Sequence, residues 1–321
     1  MDNMWTPRVS IIIPVYNGVN YMREAIDSAL SQTYENVEII VVNDGSTDGG
    51  ETEKVALTYG DKIRYFRKEN GGVSSALNFG IKNMTGEYFS WLSHDDVYTA
   101  DKISHQIESL RRWGDESSVA LCAHCFINER SERLNKAAPN RFTDGRHEWT
   151  SVLGEILDNG AFSGCALLIP IEAIKKCGGF HEGLRFSQDA LLWMQIFCEK
   201  YSLVYNGDED VFSRIHGKQL TQTGRSLFRK DSLSIAEIMI PRLSSISDRK
   251  NNYLLAYARR SAGYGNKEVV DACIAEGKGK DLFAIGTGLG LRMKLICSQF
   301  RPFFRKMYYR FLVREKASGK K

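Results

Sequence analysis

Apolar residues in the first hundred positions form short continuous runs separated by segments with helical spacing. The runs predict strands at residues 9–13, 37–42, 63–66 and 88–92. They are solidly apolar rather than alternating, which is typical of strands covered by helices on both faces. Segments such as 21–30 and 73–84 repeat apolar residues every three or four positions, as an amphipathic helix does. Strands that alternate with helices in this way predict βαβ units and an α/β fold with a mostly parallel sheet.

The pattern becomes mixed beyond about residue 100. We expect a strand over 119–127, a polar loop over 128–149 and a helix over 190–198, with short apolar segments at 155–157, 166–169 and 203–205. From residue 226 onward, helical spacing dominates. The sequence therefore predicts two regions: an α/β domain over 1–225 and a helical C-terminal region over 226–321.

Size and composition are those of an ordinary soluble globular protein. The chain has 321 residues, of which 43% are hydrophobic and 26% are charged. No basic N-terminal segment precedes a long apolar stretch, so no signal peptide is expected, and no apolar run is long enough for a spanning helix. Seven scattered cysteines favour reduced thiols, and we expect a cytoplasmic protein.

The positive charge is concentrated in the last thirty residues. Residues 292–321 contain ten Lys or Arg and one Glu, whereas the rest of the chain holds 33 Lys or Arg and 38 Asp or Glu. Within residues 291–316 the apolar and basic side chains separate onto two faces of a predicted helix, which favours binding to a membrane surface. Packing of the apolar face on the protein or on a second subunit is the alternative. The aromatic residues form one stripe rather than stacking platforms, so nucleic acid is not an expected partner.

Two adjacent carboxylates, Asp95 and Asp96, follow the apolar run at 88–92. Adjacent carboxylates repel each other unless a cation or several donors compensate them. Ligands of open α/β sheets bind at the carboxyl ends of strands, so the pair favours a divalent ion that holds a phosphate. A helix N-cap is the alternative interpretation.

Three further segments lie where the other strands end. They are Pro14-Val15-Tyr16-Asn17, Asn43-Asp44-Gly45-Ser46-Thr47-Asp48 and Asn70-Gly71-Gly72-Val73-Ser74. Together with the acidic pair, they resemble an inverting family 2 glycosyltransferase of the GT-A fold. The resemblance covers roughly residues 9 to 220. It implies a GT-A domain that binds a nucleotide-sugar and a divalent cation, Mn²⁺ or Mg²⁺.

The resemblance also implies the site residues. The residues that it assigns to nucleotide binding are Pro14, Val15, Tyr16, Asn17, Asp44, Asn70, Gly71, Ser74 and Asp95. In this reading Asp44 accepts a hydrogen bond from a uracil or thymine imide, Asp96 and His216 hold the metal, and Asp189 is the general base. The alternatives are an Asx-turn for Asp44, a helix N-cap for Asp189 and a surface histidine for His216. Asp48 is expected to cap a helix.

Three positions depart from the family pattern. Relatives usually carry Arg at Leu77, Asp at Ser93 and Glu at Gln188. The implied activity is metal-dependent inverting transfer, of the hexosyltransferase type, from a UDP-sugar to a saccharide or lipid-linked saccharide of a cell-surface polysaccharide. The enzyme would lie peripherally at the inner face of the cytoplasmic membrane. A non-catalytic nucleotide-sugar-binding or assembly protein on the same fold is the alternative, and the oligomeric state stays open.

Two other motifs carry little weight. Cys122 and Cys125 form a C-x-x-C motif within a predicted strand. No second Cys/His pair lies at the spacing of a zinc site, which disfavours zinc binding. The glycines at 286, 288 and 290 lack the full dinucleotide-binding spacing and follow no βαβ start, which disfavours a dinucleotide-dependent oxidoreductase.

Overall fold

A computed structural model describes residues 5–139, 141–217, 225–248, 252–280, 282–283, 287–296 and 298. The chain divides into two compact units, Met1–Asp231 and Ser232–Lys321. The first unit contains the mixed sheet and its flanking helices, and the second is helical. The predicted domain boundary after residue 225 stays a prediction, because the helix that begins at Arg225 continues into the second unit.

The secondary-structure elements alternate along the first unit, as expected. The strands are β1 Val9–Val15, β2 Val37–Asp44, β3 Arg64–Lys68, β4 Tyr88–Trp91, β5 Val97–Tyr98, β6 Val119–Ile127, β7 Arg133–Ala137, β8 Gly145–His147, β9 Leu167–Pro170 and β10 Leu203–Arg214. The helices are α1 Met22–Leu30, α2 Glu51–Leu57, α3 Val73–Asn83, α4 Lys102–Arg112, α5 Trp149–Asn159, α6 Ile171–Cys177, α7 Gln188–Cys198, α8 Arg225–Ile246, α9 Tyr253–Gly263 and α10 Lys267–Gly279.

The sheet follows the order β3-β2-β1-β4-β9-β6-β10-β5, with β7 on β6 and β8 on β10. Strands β3, β2, β1 and β4 are parallel, and β9 runs antiparallel to both β4 and β6. Every residue of β1 is buried, which explains why its apolar run does not alternate. The carboxyl ends of β2, β1 and β4 consequently lie side by side at one edge of the sheet. The α/β class and the mostly parallel first half agree with the sequence.

Two segments differ from the expectation. Residues 155–157 belong to α5, whose buried Val152, Leu153, Ile156 and Leu157 follow helical spacing. Residues 128–149 include β7 and β8, which pair with β6 and β10. Their polar sequences resemble a loop because neither strand lies in the apolar centre of the sheet.

Two buried ionisable residues stabilise the core in different ways. Burial opposes ionisation of Glu38, but hydrogen bonds from Ser10, Thr85 and Arg64 outweigh it and hold the Glu38 pKa at about 2. Lys102 is fully buried and donates to Ser90 Oγ over 2.7 Å, and burial lowers its pKa to about 8. The chain thus uses polar networks, as well as apolar packing, inside the sheet domain.

The second unit contains α9 and α10, which pack through buried residues such as Leu254 and Val270. Residues 287–296 are also helical. Among the helices that the structure describes, none is both long enough and apolar enough to cross a membrane. Most of the predicted membrane-binding segment, residues 299–316, lies outside the described residues.

Candidate active site

Hydrogen bonds join the loops that follow β1 and β2. The Thr47 N–H donates to Asn17 Oδ1 over 2.8 Å, and the Asn17 N–H donates to Ser46 Oγ over 2.9 Å. Asn17 adopts a φ of 49°, which asparagine tolerates better than most residues. Pro14 and Val15 are buried, whereas the Tyr16 side chain is 45% exposed. Of the predicted Pro14–Asn17 segment, Tyr16 and Asn17 are therefore exposed, and the Asn17 side chain is already engaged by the Thr47 N–H.

Asp44, at the end of β2, organises the loop before α3. One carboxylate oxygen accepts the Gly71 N–H and the Lys68 ammonium, at 3.0 and 2.8 Å, and the other accepts the Gly72 N–H at 2.7 Å. Asn70 Nδ2 donates to the Asp44 carbonyl. The structure thus brings Asp44 together with Asn70 and Gly71, as the resemblance implied.

The turn after β2 belongs to a different residue. Asn43 Oδ1 accepts the Ser46 N–H over 2.9 Å, so the alternative of an Asx-turn made by Asp44 is wrong. Asp48 accepts the Thr52 N–H in the first turn of α2, which confirms its predicted capping role.

The start of α3 combines a constrained backbone with a buried hydroxyl. Gly72 has a φ of 88°, a conformation that side chains other than that of glycine rarely adopt. Ser74 is 2% exposed, and its Oγ has no hydrogen-bond partner among the described residues. Leu77 is fully buried.

The two carboxylates of the acidic pair have different partners. Asp95 Oδ2 lies 3.0 Å from His216 Nε2. Asp96 is 8% exposed, and its carboxylate accepts the Arg214 N–H over 2.8 Å and the Cys165 S–H over 3.3 Å. Burial, together with the charge of Asp95, raises the Asp96 pKa to about 7. The N-cap position of α4 is Asp101, so the helix-cap interpretation of the pair is wrong.

The donors around the pair suit a divalent cation. Carboxylate oxygens and an imidazole nitrogen are ligands that Mn²⁺ accepts, and phosphate oxygens of a bound nucleotide would complete the set. The burial of Asp96 beside a second carboxylate leaves negative charge that a cation would neutralise. Asp95, Asp96 and His216 do not form a compact three-residue cluster among the described residues, since His216 faces Asp95.

Arg214 connects this pair to its surroundings. Its side chain is buried, and it donates to the Asp95 carbonyl and to Glu24 Oε2, both over 2.8 Å. The guanidinium lies 4.4 Å from the centre of the Tyr21 ring. Arg214 thus fixes the end of β10 against the acidic pair.

Asp189 lies in the first turn of α7. Its Oδ1 accepts the Ala190 N–H over 2.7 Å, and burial raises its pKa to about 6. The N-cap position is Ser187, so Asp189 is not the N-cap residue itself, but its carboxylate accepts an N–H of the first turn and thereby contributes to the capping of α7. The neighbouring Gln188 is buried, and its Oε1 has no partner within the described part of the chain.

Asp231, a buried residue of α8, was not among the predicted site residues. Its Oδ2 accepts the backbone N–H groups of Arg185, Phe186 and Ser187 at 3.1, 2.7 and 3.0 Å. Because these residues immediately precede α7, Asp231 fixes the turn that leads to Asp189. The contact joins residues more than forty positions apart, and no local pattern indicates it.

A cleft of about 580 Å³ opens beside His216. It is lined by Asn128, Glu129, Arg130, Glu132, Ile215, His216 and Gly217. Its size is in the range of small-molecule sites, and its lining is polar. Residues 218–224, which follow His216 and Gly217 in the sequence, lie outside the described residues.

Other candidate motifs lie apart from these residues. Cys122 and Cys125 are both buried in β6, as expected for structural cysteines. Gly286, the first residue of the glycine-rich motif, lies outside the described residues. Within the described residues, one compact group has metal-ligand chemistry, formed by His105, Asp208 and Asp210. His105 Nδ1 lies 3.0 Å from Asp210 Oδ2, so a hydrogen bond already accounts for this group.

Comparisons of the sequence identify relatives. The model of the family described as "Glycosyl transferase family 2" matches residues 10–167. An uncharacterized glycosyltransferase of Rickettsia typhi is 50% identical over 222 residues, covering 69% of this chain and 68% of the relative. An uncharacterized glycosyltransferase of Rickettsia felis is 55% identical over 194 residues, or 60% of this chain, and the match spans only 32% of that relative.

The fold also matches solved structures. Residues 1–349 of Staphylococcus aureus TarS in complex with UDP-GlcNAc superpose with a TM-score of 0.71 at 17% identity, covering 91% of this chain and 89% of that one. At this identity the likeness concerns the fold. It confirms the predicted GT-A architecture, a mostly parallel sheet flanked by helices with helices after it.

Proposed function

We propose, from the premise that this chain belongs to glycosyl transferase family 2, that it catalyses metal-dependent inverting transfer of a sugar from a UDP-sugar to an acceptor hydroxyl. The observation that carries the proposal is the set of carboxylates at one edge of the sheet: Asp44 at the end of β2, and the pair Asp95 and Asp96 after β4, with β1 between these two strands. They lie in the domain that also holds Asp189, a carboxylate whose burial raises its pKa to about 6. The UDP-GlcNAc complex of TarS supports a uridine nucleotide as the donor.

The donor would occupy the edge of the sheet formed by the ends of β2, β1 and β4. Tyr16 presents an exposed ring to the base, and Asp44 with the loop at Asn70 and Gly71 borders the same region. Asp95 would contact the ribose or the diphosphate. A Mn²⁺ or Mg²⁺ ion held by Asp96, with His216 nearby, would neutralise charge on the diphosphate leaving group.

Asp189 would act as the general base. Its carboxylate takes the proton from the acceptor hydroxyl as the oxygen forms a bond to the anomeric carbon. The bond from that carbon to the diphosphate oxygen breaks on the opposite face, which inverts the configuration. A base whose pKa is about 6 is mostly ionised at neutral pH, yet it is more basic than an ordinary aspartate.

The acceptor would be a saccharide or lipid-linked saccharide of a cell-surface polysaccharide. The polar cleft next to His216 has room for a small saccharide. The basic residues after 291 would bring the enzyme to the inner face of the cytoplasmic membrane, where a lipid-linked acceptor is displayed.

Calorimetric titration tests the donor site. UDP, GDP, TDP and CMP are titrated into the wild type, Asp96→Ala and the control Asp101→Ala, with Mn²⁺ and with EDTA. We expect UDP to bind in a Mn²⁺-dependent manner to the wild type and to the control, and to lose this binding in Asp96→Ala. If no nucleotide binds under either condition, the donor site is wrong.

A second experiment separates the enzyme from a non-catalytic binder. Asp189→Asn should retain the affinity for UDP and lose transfer to the acceptor, because the general base does not hold the nucleotide. A protein that binds UDP but transfers no sugar to any member of a panel of saccharide and lipid-linked acceptors would support the binding-protein alternative.

A further inference from the structure

The side chain of Arg185 lies against the loop at the start of α3. Arg185 is exposed, and its Nη1 would lie 2.8 Å from a Cβ atom built on Gly72. Gly72 in turn donates its N–H to Asp44, the residue at the end of β2. The guanidinium therefore stands beside the backbone that borders the proposed donor site, although Arg185 comes more than one hundred residues later in the chain.

Asp231 fixes the backbone at Arg185. The three N–H groups that donate to Asp231 Oδ2 belong to Arg185 and the two residues after it. Three donors on one buried oxygen hold the backbone of this turn firmly. The base of the Arg185 side chain is consequently constrained, and the free end of the side chain reaches solvent near Gly72.

The charges already present leave Arg185 available for a ligand. The Lys68 ammonium lies 2.8 Å from Asp44 Oδ1, so Lys68 and Asp44 neutralise each other. The Arg185 guanidinium has no hydrogen-bond or ion-pair partner among the described residues. The N-terminus of α3, an eleven-residue helix, adds partial positive charge at the same place. An unpaired guanidinium at a helix N-terminus favours a bound anion, and phosphate oxygens match its planar fork.

We infer that Arg185 is a donor-binding residue that contacts the phosphate oxygens of the nucleotide. This inference rests on the proposed function, since it gives that donor a further contact. The turn at 185–187 then serves two purposes: it carries Arg185 toward the nucleotide, and it leads directly into the helix that presents Asp189.

Calorimetry with UDP, UMP and uridine in the presence of Mn²⁺ tests the inference. Arg185 is exposed, so Arg185→Ala should fold, and thermal unfolding checks this. We expect Arg185→Ala to weaken UDP binding about 10- to 100-fold, the usual range for losing a charged hydrogen bond. For the same variant, the affinity for UMP should fall by a smaller factor, and the affinity for uridine should not change. Arg185→Lys should retain part of the UDP affinity, and Arg112→Ala, an exposed arginine at the end of α4, should match the wild type.

Two results would overturn the inference without affecting the donor site. One is an Arg185→Ala protein that binds UDP as tightly as the wild type. The other is an equal loss of affinity for uridine, which would place the effect on the base or on the fold of the loop. A wild-type protein that binds none of the three ligands would instead refute the proposed function, and the role of Arg185 with it.

Discussion

Protonation of Asp189 should slow sugar transfer as the pH falls from 7 to 5. Burial raises the Asp189 pKa from 3.8 to about 6, which corresponds to about 3 kcal/mol of added cost for ionisation. With this pKa, roughly 90% of the protein carries the ionised base at pH 7 and roughly 10% at pH 5. The rate of the chemical step should therefore fall about tenfold across this interval.

The assay is the single-turnover release of nucleoside diphosphate, measured from pH 5 to pH 8 with the enzyme in excess over the donor and with saturating acceptor. Single turnover isolates the chemical step from product release. Asp189→Asn should reduce the rate at pH 7 by at least about 100-fold, a typical contribution of a general base, and the remaining rate should no longer depend on the ionisation of residue 189. Asp61→Asn, an exposed carboxylate in the short helix before β3, serves as the matched control and should leave the profile unchanged.

The free energy of unfolding provides an independent check, because the contribution of Asp189 to it changes with pH in the opposite direction to the rate. A carboxylate whose pKa is raised in the folded state binds protons more tightly there, so its contribution to stability falls as pH rises from about 4 to about 6. Asp189→Asn should therefore be as stable as the wild type at pH 7, or more stable by up to about 3 kcal/mol. A flat rate between pH 5 and pH 7, or a strongly destabilised Asp189→Asn, would refute the assignment and indicate a structural role.

Two further predictions concern buried groups near the sheet. Glu38→Gln should lower the free energy of unfolding at pH 7 by about 3 kcal/mol, because the Glu38 pKa is held at about 2 in the folded protein. In urea unfolding, the difference in free energy of unfolding between Glu38→Gln and the wild type should shrink as pH falls from about 4.5 toward 2, because the stabilisation by a depressed carboxyl pKa is lost on protonation. A difference that does not change with pH would contradict this account. Gln188→Glu should move the midpoint of the pH–rate profile above 6, because a second carboxylate disfavours ionisation of Asp189, and an unchanged midpoint would show that the two side chains do not interact.

The sequence predicted the parts of the fold that local patterns encode. The apolar runs marked β1, β2 and β4, and the turn residues after them marked the edge where Asp44, Asp95 and Asp96 lie. Of the helix α5, only the apolar segment at 155–157 was recognised in the sequence, although the buried residues of the helix follow helical spacing. The strand β7 was missed because an edge strand of sequence Arg-Leu-Asn-Lys-Ala carries no apolar signal.

Contacts between residues far apart in the sequence were the other feature that was not predicted. Nothing near Asp231 indicates that its carboxylate accepts three N–H groups from the turn before α7. Likewise, Gly71 was expected to bind the nucleotide, whereas the structure pairs the Gly71 and Gly72 amides with Asp44. Such pairings depend on which loops the sheet brings together, and one sequence does not specify them.

The acidic pair illustrates how the fold changes the meaning of a motif. In the sequence, two neighbouring carboxylates look equivalent. In the structure, Asp95 faces His216, while Asp96 is the more buried of the two and accepts hydrogen bonds from the Arg214 N–H and the Cys165 thiol. The charge of Arg214 favours ionised Asp96, but burial and the neighbouring Asp95 outweigh it. The charge of Arg214 is thus not enough to stabilise the ionised form of Asp96. Removal of Asp96 should therefore weaken metal-dependent nucleotide binding more than removal of Asp95.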